Sequence, residues 1–141
     1  QKLSSNFAGN KGKLPWPVEK GRITSSFGEH PHPELKGIVV KNNGVDIQSS
    51  PNSQARSVFD GEVTGVVTIP GANSAVIIRH GEYLSVYSNL ESVFVKKGDK
   101  VTTRQKIGKV YTDTEEGNAE LHLEIWKGTV KLDPAGWLAR N

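Results

Sequence analysis

Residues 120–126 read Glu-Leu-His-Leu-Glu-Ile-Trp and alternate strictly between two kinds of side chain. Successive side chains of a β-strand point to opposite faces, so Leu121, Leu123 and Ile125 are predicted to enter a core. The other face then carries two carboxylates, an imidazole and an indole in one row, from Glu120, His122, Glu124 and Trp126. Because short alternations are common in sheets, an ordinary solvated face is the alternative to a functional row.

The rest of the chain has the same β character. Fifteen glycines separate short runs rich in Val, Ile, Thr and Tyr, a pattern typical of strands joined by turns. The predicted strands are 22–26, 37–40, 45–48, 61–69, 74–79, 83–90, 107–111 and 120–126. Asp133 can cap a turn of helix that begins at Pro134, and this is the only helix predicted. The sequence therefore predicts an all-β fold, an antiparallel β-sandwich or partly open barrel with one short C-terminal helical turn.

Composition narrows the classes of function. The chain has 141 residues, a net charge of +3 and a mean hydropathy of −0.47. No apolar run approaches the roughly 18–20 residues that a membrane span requires, so no transmembrane segment is predicted. Cysteine is absent, which removes disulfides, thiolate metal sites and cysteine nucleophiles. The small charge surplus includes no basic helix, so we predict no binding to nucleic acid.

The chain divides at a proline-bracketed tryptophan. Residues 1–13 are polar and rich in Gly, Ser and Asn, and we predict that they form a linker or the end of an upstream segment. Pro15 and Pro17 then make the stretch around Trp16 extended. Residues 14–141 are predicted to form one β domain, long enough to bury its own core.

Three further stretches determine how the polar row is interpreted. Residues 21–28 read Gly-Arg-Ile-Thr-Ser-Ser-Phe-Gly, residues 42–46 read Asn-Asn-Gly-Val-Asp, and residues 87–90 read Tyr-Ser-Asn-Leu. Their order, followed by a glycine-spaced hairpin near 97–108 and the strand over 120–126, resembles that of the lysostaphin/LytM-type zinc endopeptidases of peptidoglycan. The resemblance runs from about Trp16 to Leu138. It implies the lysostaphin-like fold, which is built from duplicated hybrid β motifs.

The resemblance also indicates which functional positions are substituted. Active members carry a histidine ligand four residues before an aspartate ligand, and here these positions hold Asn42 and Asp46. Their last motif carries a catalytic histidine and then a ligand histidine, which correspond to Glu120 and His122. A second catalytic histidine corresponds to Asn89. The resemblance thus implies that one zinc ligand and both catalytic imidazoles are missing.

Elementary chemistry gives these substitutions a consequence. A catalytic zinc normally keeps three protein ligands and an open position for water, and Asp46 with His122 supplies only two. Asn42 offers a neutral amide oxygen, and Asn89 cannot take or return a proton near neutral pH. Glu120 could act as a base or become a third ligand. We nevertheless expect that the chain holds no zinc and hydrolyses no peptide bond.

Two histidines in a proline-spaced stretch leave one enzymatic alternative open. Residues 30–33 read His-Pro-His-Pro, which favours an ordered loop with exposed imidazoles. A rewired metal site could instead combine His30 or His32 with Asp46 and His122. The sequence alone does not separate these two interpretations.

The substitutions resemble those of a branch of the family that has lost zinc and activates cell-wall amidases. The resemblance implies a non-catalytic domain that activates an N-acetylmuramoyl-L-alanine amidase during cell-wall remodelling and cell separation, in the periplasm or envelope of a Gram-negative bacterium. The expected partner is this amidase, and peptidoglycan is a second candidate. The predicted partner-binding groove is lined by Asn42, Asp46, Tyr87, Asn89, Glu120 and His122. The alternatives are a peptidoglycan endopeptidase with a rewired metal site, a peptidoglycan-binding module and, less in keeping with the motifs, a lipoyl-type or phosphocarrier domain.

Overall fold

The computed structural model describes residues 2–32, 34–68 and 73–140. About half of these residues lie in strands, because β-branched and aromatic side chains recur at period two between glycine-containing turns. In chain order the elements are α1 Lys2–Gly9, β1 Gly21–Ser25, β2 Gly28–Pro31, β3 Val39–Asn42, β4 Val45–Ser49, β5 Gln54–Arg56, β6 Gly61–Val67, β7 Ser74–His80, β8 Tyr83–Val93, β9 Lys100–Val101, β10 Lys106–Val110, β11 Ala119–Lys127, β12 Val130–Leu132 and a 3₁₀ turn Pro134–Gly136.

One antiparallel sheet dominates the described part of the chain. Its strand order is β1-β4-β11-β8-β7-β6-β9, with β12 added to β11, and with β10 paired to both β8 and β5. The sheet runs from β1 to β9 and does not close on itself. Strands β2 and β3 form a separate hairpin. The predicted all-β class, with an open antiparallel arrangement, is confirmed.

The alternating stretch over 120–126 lies in β11, in the middle of this sheet, between β4 and β8. Leu121, Leu123 and Ile125 are each 0% exposed and belong to the hydrophobic core, as predicted. Burying each of these side chains contributes about 1.5–3 kcal/mol. Because their burial fixes the register of β11, the intervening polar residues are held in one row on the opposite face.

The predicted C-terminal helical turn is also confirmed. It is the 3₁₀ turn Pro134–Gly136, and the Asp133 carboxylate accepts the backbone N–H of Ala135 at 3.0 Å. Proline fits the first position because it lacks the N–H group that would otherwise be unpaired there. Trp137 and Leu138 follow directly and are buried, so the turn delivers two apolar side chains to the core.

The expectation of a single, C-terminal helix was wrong, because residues 2–9 form the helix α1. Phe7 is 0% exposed and stacks on His80 and Tyr83, with ring centroids 4.8 Å apart in both pairs. Trp137 lies 5.1 Å away. Because Phe7 stands among mostly polar residues in the sequence, the composition of this stretch did not indicate a helix. The division into a linker over 1–13 and a domain over 14–141 stays a prediction, although Phe7 packs against that domain.

Several smaller differences concern strand ends, among them that of β8, which was predicted over 83–90 and runs to Val93. The strand predicted over 61–69 ends at Val67, and Ile69 lies outside the described residues. The strand predicted over 37–40 is shifted to Val39–Asn42, where it pairs with β2. No helix in the described part of the chain is long and apolar enough to span a membrane.

Candidate functional site

The polar face of β11 forms a hydrogen-bonded row with β4. His122 lies directly opposite Asp46 in the ladder, and its Nδ1 is 2.7 Å from Asp46 Oδ1. Its Nε2 is 2.8 Å from Glu124 Oε2. The other oxygen of Glu124 accepts the indole N–H of Trp126 at 2.8 Å. We call these four residues, Asp46, His122, Glu124 and Trp126, the His122 row.

The His122 imidazole is held between two carboxylates. The hydrogen bond to Asp46 raises the pKa of His122, partial burial opposes that effect, and the bond to Glu124 raises the pKa further. A protonated imidazole carries an N–H on both ring nitrogens, which is the form that satisfies both carboxylates at once. The geometry therefore favours a charged imidazolium with no lone pair directed outward.

Asn42 takes a structural role at this site. Its side chain is largely buried, its Nδ2 donates to Ser25 Oγ at 3.1 Å, and its Oδ1 accepts the backbone N–H of Gly44 at 3.0 Å. This is the local side-chain to backbone bond by which asparagine stabilises turns. A Cβ on Gly44 would lie 2.0 Å from the carbonyl oxygen of Leu123, so only glycine allows β4 to pass so close to β11.

The residues present do not fit a zinc ion. Zinc needs neutral imidazole nitrogens and carboxylate oxygens converging on one point, whereas both nitrogens of His122 are engaged by Asp46 and Glu124. Asn42 Oδ1 is occupied by a backbone N–H. Across the described ranges, no three His, Asp or Glu side chains are arranged so as to hold a metal.

The structure does not bring His30 and His32 into a metal site with Asp46 and His122. His30 lies in β2 opposite Val40 of the β2–β3 hairpin. His32 Nδ1 accepts the backbone N–H groups of Glu34 and Leu35, each at 3.0 Å, so its imidazole organises the hairpin loop. The prediction of a loop with exposed imidazoles was wrong, because His30 lies in strand β2 and both imidazoles are partly buried.

A polar groove begins at the Glu120 end of the same face. Asn89 Nδ2 donates to the backbone oxygen of Glu120 at 2.6 Å, and Glu120 Oε2 accepts the Thr24 hydroxyl at 3.0 Å. Asn89 has φ +73°, a left-handed conformation that asparagine tolerates better than most residues. The groove has a volume of about 310 Å³ and is lined by Thr24, Gln48, Asn89, Tyr111, Asp113, Glu116, Asn118 and Glu120. We call it the acidic groove, since its three ionisable carboxylates are Asp113, Glu116 and Glu120.

Tyr87 was wrongly placed on the groove floor. It is 0% exposed because it points to the core face of β8. Its hydroxyl accepts the backbone N–H of Val58 at 2.9 Å and lies 2.8 Å from Ser85 Oγ. The latter oxygen is 2.8 Å from His80 Nε2. Tyr87 therefore belongs to a buried polar chain beneath the sheet, and burial raises the pKa of its hydroxyl.

The predicted site residues thus separate into three environments. Asp46 and His122 meet in the His122 row, Asn89 and Glu120 meet in the acidic groove, and Asn42 and Tyr87 are buried in structural positions. Sequence reasoning left Glu124 out of the site, although its place two residues after His122 on the same strand face was a sufficient signal. No local pattern indicated that Asp113 and Glu116 from a loop would join Glu120.

Comparison with known proteins gives this geometry a context. The profile of Peptidase family M23 matches residues 40–134. The chain is 30% identical to the cell division protein DipM of Caulobacter vibrioides, 28% identical to the murein hydrolase activator EnvC of Escherichia coli and 32% identical to the peptidoglycan DD-endopeptidase ShyB of Vibrio cholerae. These alignments cover 95%, 92% and 78% of this chain but only 22%, 30% and 26% of the relatives. The chain therefore spans less than a third of each relative's length.

A solved structure is similar to this chain in fold and in sequence. Helicobacter pylori Csd3 superimposes with a TM-score of 0.73 at 30% identity, over 91% of this chain and 35% of Csd3. At this similarity the overall β architecture is shared, while the side chains at the candidate site have to be compared residue by residue.

Proposed function

The chain belongs to peptidase family M23, and from this premise we propose that it is a non-catalytic member that binds and activates a peptidoglycan amidase. The observation that carries the proposal is the His122 row. Asp46 and Glu124 hold both nitrogens of the His122 imidazole, and Asn42 is committed to a turn. A site arranged in this way supports polar contacts to a partner but does not support activation of water.

The relatives give the proposal its biological setting. One is named a murein hydrolase activator and another a cell division protein, and both come from Gram-negative bacteria. We infer that this domain acts in the cell envelope during cell-wall remodelling, on an N-acetylmuramoyl-L-alanine amidase. Peptidoglycan itself is a second partner in this proposal.

The acidic groove is the proposed contact surface. It offers carboxylates, amides and hydroxyls at fixed positions along an open cleft, which suits an extended or helical segment of a partner. A domain that binds only the open state of a latent amidase shifts its equilibrium by the difference in affinity for the two states. Asn89 and Glu120 are the proposed contacts, while Asn42 and Tyr87 position the strands that carry the site.

The direct test is activation of a purified latent amidase, measured as dye release from labelled cell wall. The chain should raise dye release in the presence of the amidase and release no dye alone. Glu120→Lys should weaken activation, because it reverses a charge in the groove while the exposed side chain leaves the core intact. Glu34→Lys makes the same charge change at an exposed position in the β2–β3 loop, outside the acidic groove, and serves as the matched control.

Two results would contradict this proposal. One is equal loss of activation in the Glu34→Lys and Glu120→Lys variants, which would mean that net charge and not the groove matters. The other is absence of any activation by the unaltered chain with each cell-wall amidase of the source organism.

A second candidate function is a peptidoglycan endopeptidase, favoured by the 32% identity to ShyB. This candidate requires that the His122 row rearrange to bind zinc. Metal analysis of protein purified without chelator, combined with dye release by the chain alone, separates the two functions. Stoichiometric zinc together with dye release would replace the activator proposal with the peptidase.

A further inference from the structure

A second cleft lies beside the acidic groove and has the opposite charge. Its volume is about 390 Å³. Four cationic side chains line it, together with one carboxylate and four neutral polar residues. The cations are Lys20, Arg56, Arg104 and Lys106, the carboxylate is Glu19, and the neutral residues are Ser50, Asn52, Ser53 and Gln54. We call it the cationic cleft.

The four cations of this cleft outnumber its one carboxylate. Among the described residues, no carboxylate lies within 4.0 Å of the charged groups of these four side chains. Lys106 of β10 stands directly opposite Arg56 of β5 in the antiparallel ladder. Like charges at directly opposed positions destabilise a sheet. An anionic ligand between them would remove that repulsion.

The backbone orients one guanidinium of this cleft and fixes the main chain at a second cation. Arg56 Nε donates to the carbonyl oxygen of Trp16 at 3.0 Å, which orients the planar guanidinium. Arg104 has φ +70°, and its backbone N–H donates to the Ser57 carbonyl at 2.8 Å. An oriented guanidinium such as that of Arg56 suits a carboxylate, because its donors match the spacing of two carboxylate oxygens.

The cationic cleft is continuous with the acidic groove. A shallow depression between them shares Lys20 and Ser50 with the cationic cleft. The same depression shares Gln48 and Asn118 with the acidic groove. The three depressions therefore make one surface track, with cations at one end and carboxylates at the other.

We propose that this track binds one continuous segment of the partner, with acidic residues of the segment over Lys20, Arg56, Arg104 and Lys106 and basic residues over Glu116 and Glu120. This inference rests on the proposed function, because it identifies the chemistry of the amidase segment that the groove receives. Complementary charge fixes the direction in which the segment lies, since the reversed orientation would place like charges together at both ends.

Peptide binding tests the charge pattern without an amidase. Two labelled peptides of equal composition are compared by fluorescence anisotropy. One carries four glutamates, a Gly-Ser spacer and four lysines, and the other carries the same residues with charges alternating. The block peptide should bind roughly three- to tenfold more tightly, because only its charges can be matched at both ends of the track. Its affinity should fall as salt is added.

Variants separate the two ends of the track. Lys106→Glu should weaken binding of the block peptide by roughly three- to tenfold. It should not lower the free energy of unfolding, because the new carboxylate would face Arg56 with opposite charge. Glu116→Lys should weaken binding of the block peptide but not of an all-glutamate peptide. Lys97→Glu, a charge reversal at an exposed turn residue outside the track, is the control and should leave the preference for the block peptide intact.

Three outcomes would overturn the inference. Equal affinities for the block and alternating peptides would show that the track does not distinguish the order of charges along a bound segment. If the all-glutamate peptide binds as tightly as the block peptide, the cationic cleft is a general site for polyanions. If the unaltered chain activates the amidase and Lys106→Glu activates it equally well, this inference fails while the proposed function stands. If the unaltered chain does not activate, the proposed function fails, and the peptides alone decide whether the track exists.

Discussion

Acidification is expected to destabilise this fold through one buried histidine, His80. Its Nδ1 donates to the carbonyl oxygen of Asp60 at 2.7 Å, and its Nε2 accepts the Ser85 hydroxyl at 2.8 Å. Ser85 Oγ in turn accepts the hydroxyl of Tyr87, whose oxygen already accepts the Val58 N–H. While His80 is neutral, each group in this hydrogen-bonded network has a partner. A proton on Nε2 would reverse the Ser85 and Tyr87 hydroxyls and place a positive charge in a buried site, which costs free energy.

The size of the effect follows from the pKa of His80. Burial lowers this pKa from 6.5 to about 4, although the carbonyl and charge of Asp60 oppose the shift. At pH values between these two pKa values, His80 is protonated in the unfolded chain but neutral in the folded chain. The free energy of unfolding therefore falls as the pH falls. The full difference corresponds to about 3 kcal/mol of unfolding free energy, of which about 2 kcal/mol should be lost between about pH 7 and about pH 5. Below about pH 3, where His80 is protonated in both states, no further loss comes from it.

Other groups titrate over the same range, so the measurement needs a matched variant. The raised pKa of His122 acts in the opposite direction, because its stabilising effect is present at low pH and disappears as the pH rises through the folded-state value. Urea unfolding of the unaltered protein and of His80→Gln at both pH values isolates the contribution of His80, since Gln does not titrate. Equal pH dependence of the two proteins, or an NMR titration that places the His80 pKa near 6.5, would refute the reasoning.

Three further predictions concern the helix, the strand crossing and the His122 row. Phe7→Ala should remove about 3–5 kcal/mol of packing free energy and release α1 from the sheet. Hydrogen exchange should then be rapid over residues 2–9 while the sheet stays protected, and continued protection of α1 would contradict this. Gly44→Ala should destabilise the fold by about 3 kcal/mol or more, because the added Cβ meets a carbonyl oxygen at 2.0 Å. Gly136→Ala, which meets nothing within 4 Å, should be nearly neutral in the same urea titration. Glu124→Gln should lower the pKa of His122 in an NMR titration, and an unchanged pKa would mean that the carboxylate does not act on the imidazole.

The strands that were predicted well are those with enough residues to show a period. The alternation over 120–126 placed the core side chains of β11 correctly, because a strand repeats every two residues and its neighbours in the core tolerate only apolar groups. The turn capped by Asp133 was predictable for a similar reason, since the cap and the proline act within four residues. In contrast, β5, β9 and β12 have only two or three residues each. Such segments become strands through their pairing with a neighbour and not through their own pattern.

The candidate site was likewise predictable from the sequence only where the signal is local. The resemblance could assign family positions to Asn42, Asn89 and Glu120 from the linear sequence, because the family motifs are local. Whether a polar side chain faces a groove or the core depends on the sheet around it. Tyr87 was misplaced for this reason, since one residue of difference along β8 exchanges the two faces.

The β class of this chain and its motifs of family M23 could be identified from the sequence alone, because alternation, turn chemistry and motif spacing are encoded within a few residues. Which polar side chains of those motifs pair with one another depends on the folded sheet. His122 contacts Asp46, which is 76 positions away in the sequence. Arg56 stands opposite Lys106 in a strand pairing that no local sequence pattern predicts. Charges act through distance in space and not through separation along the chain, so their balance exists only once the sheet has formed.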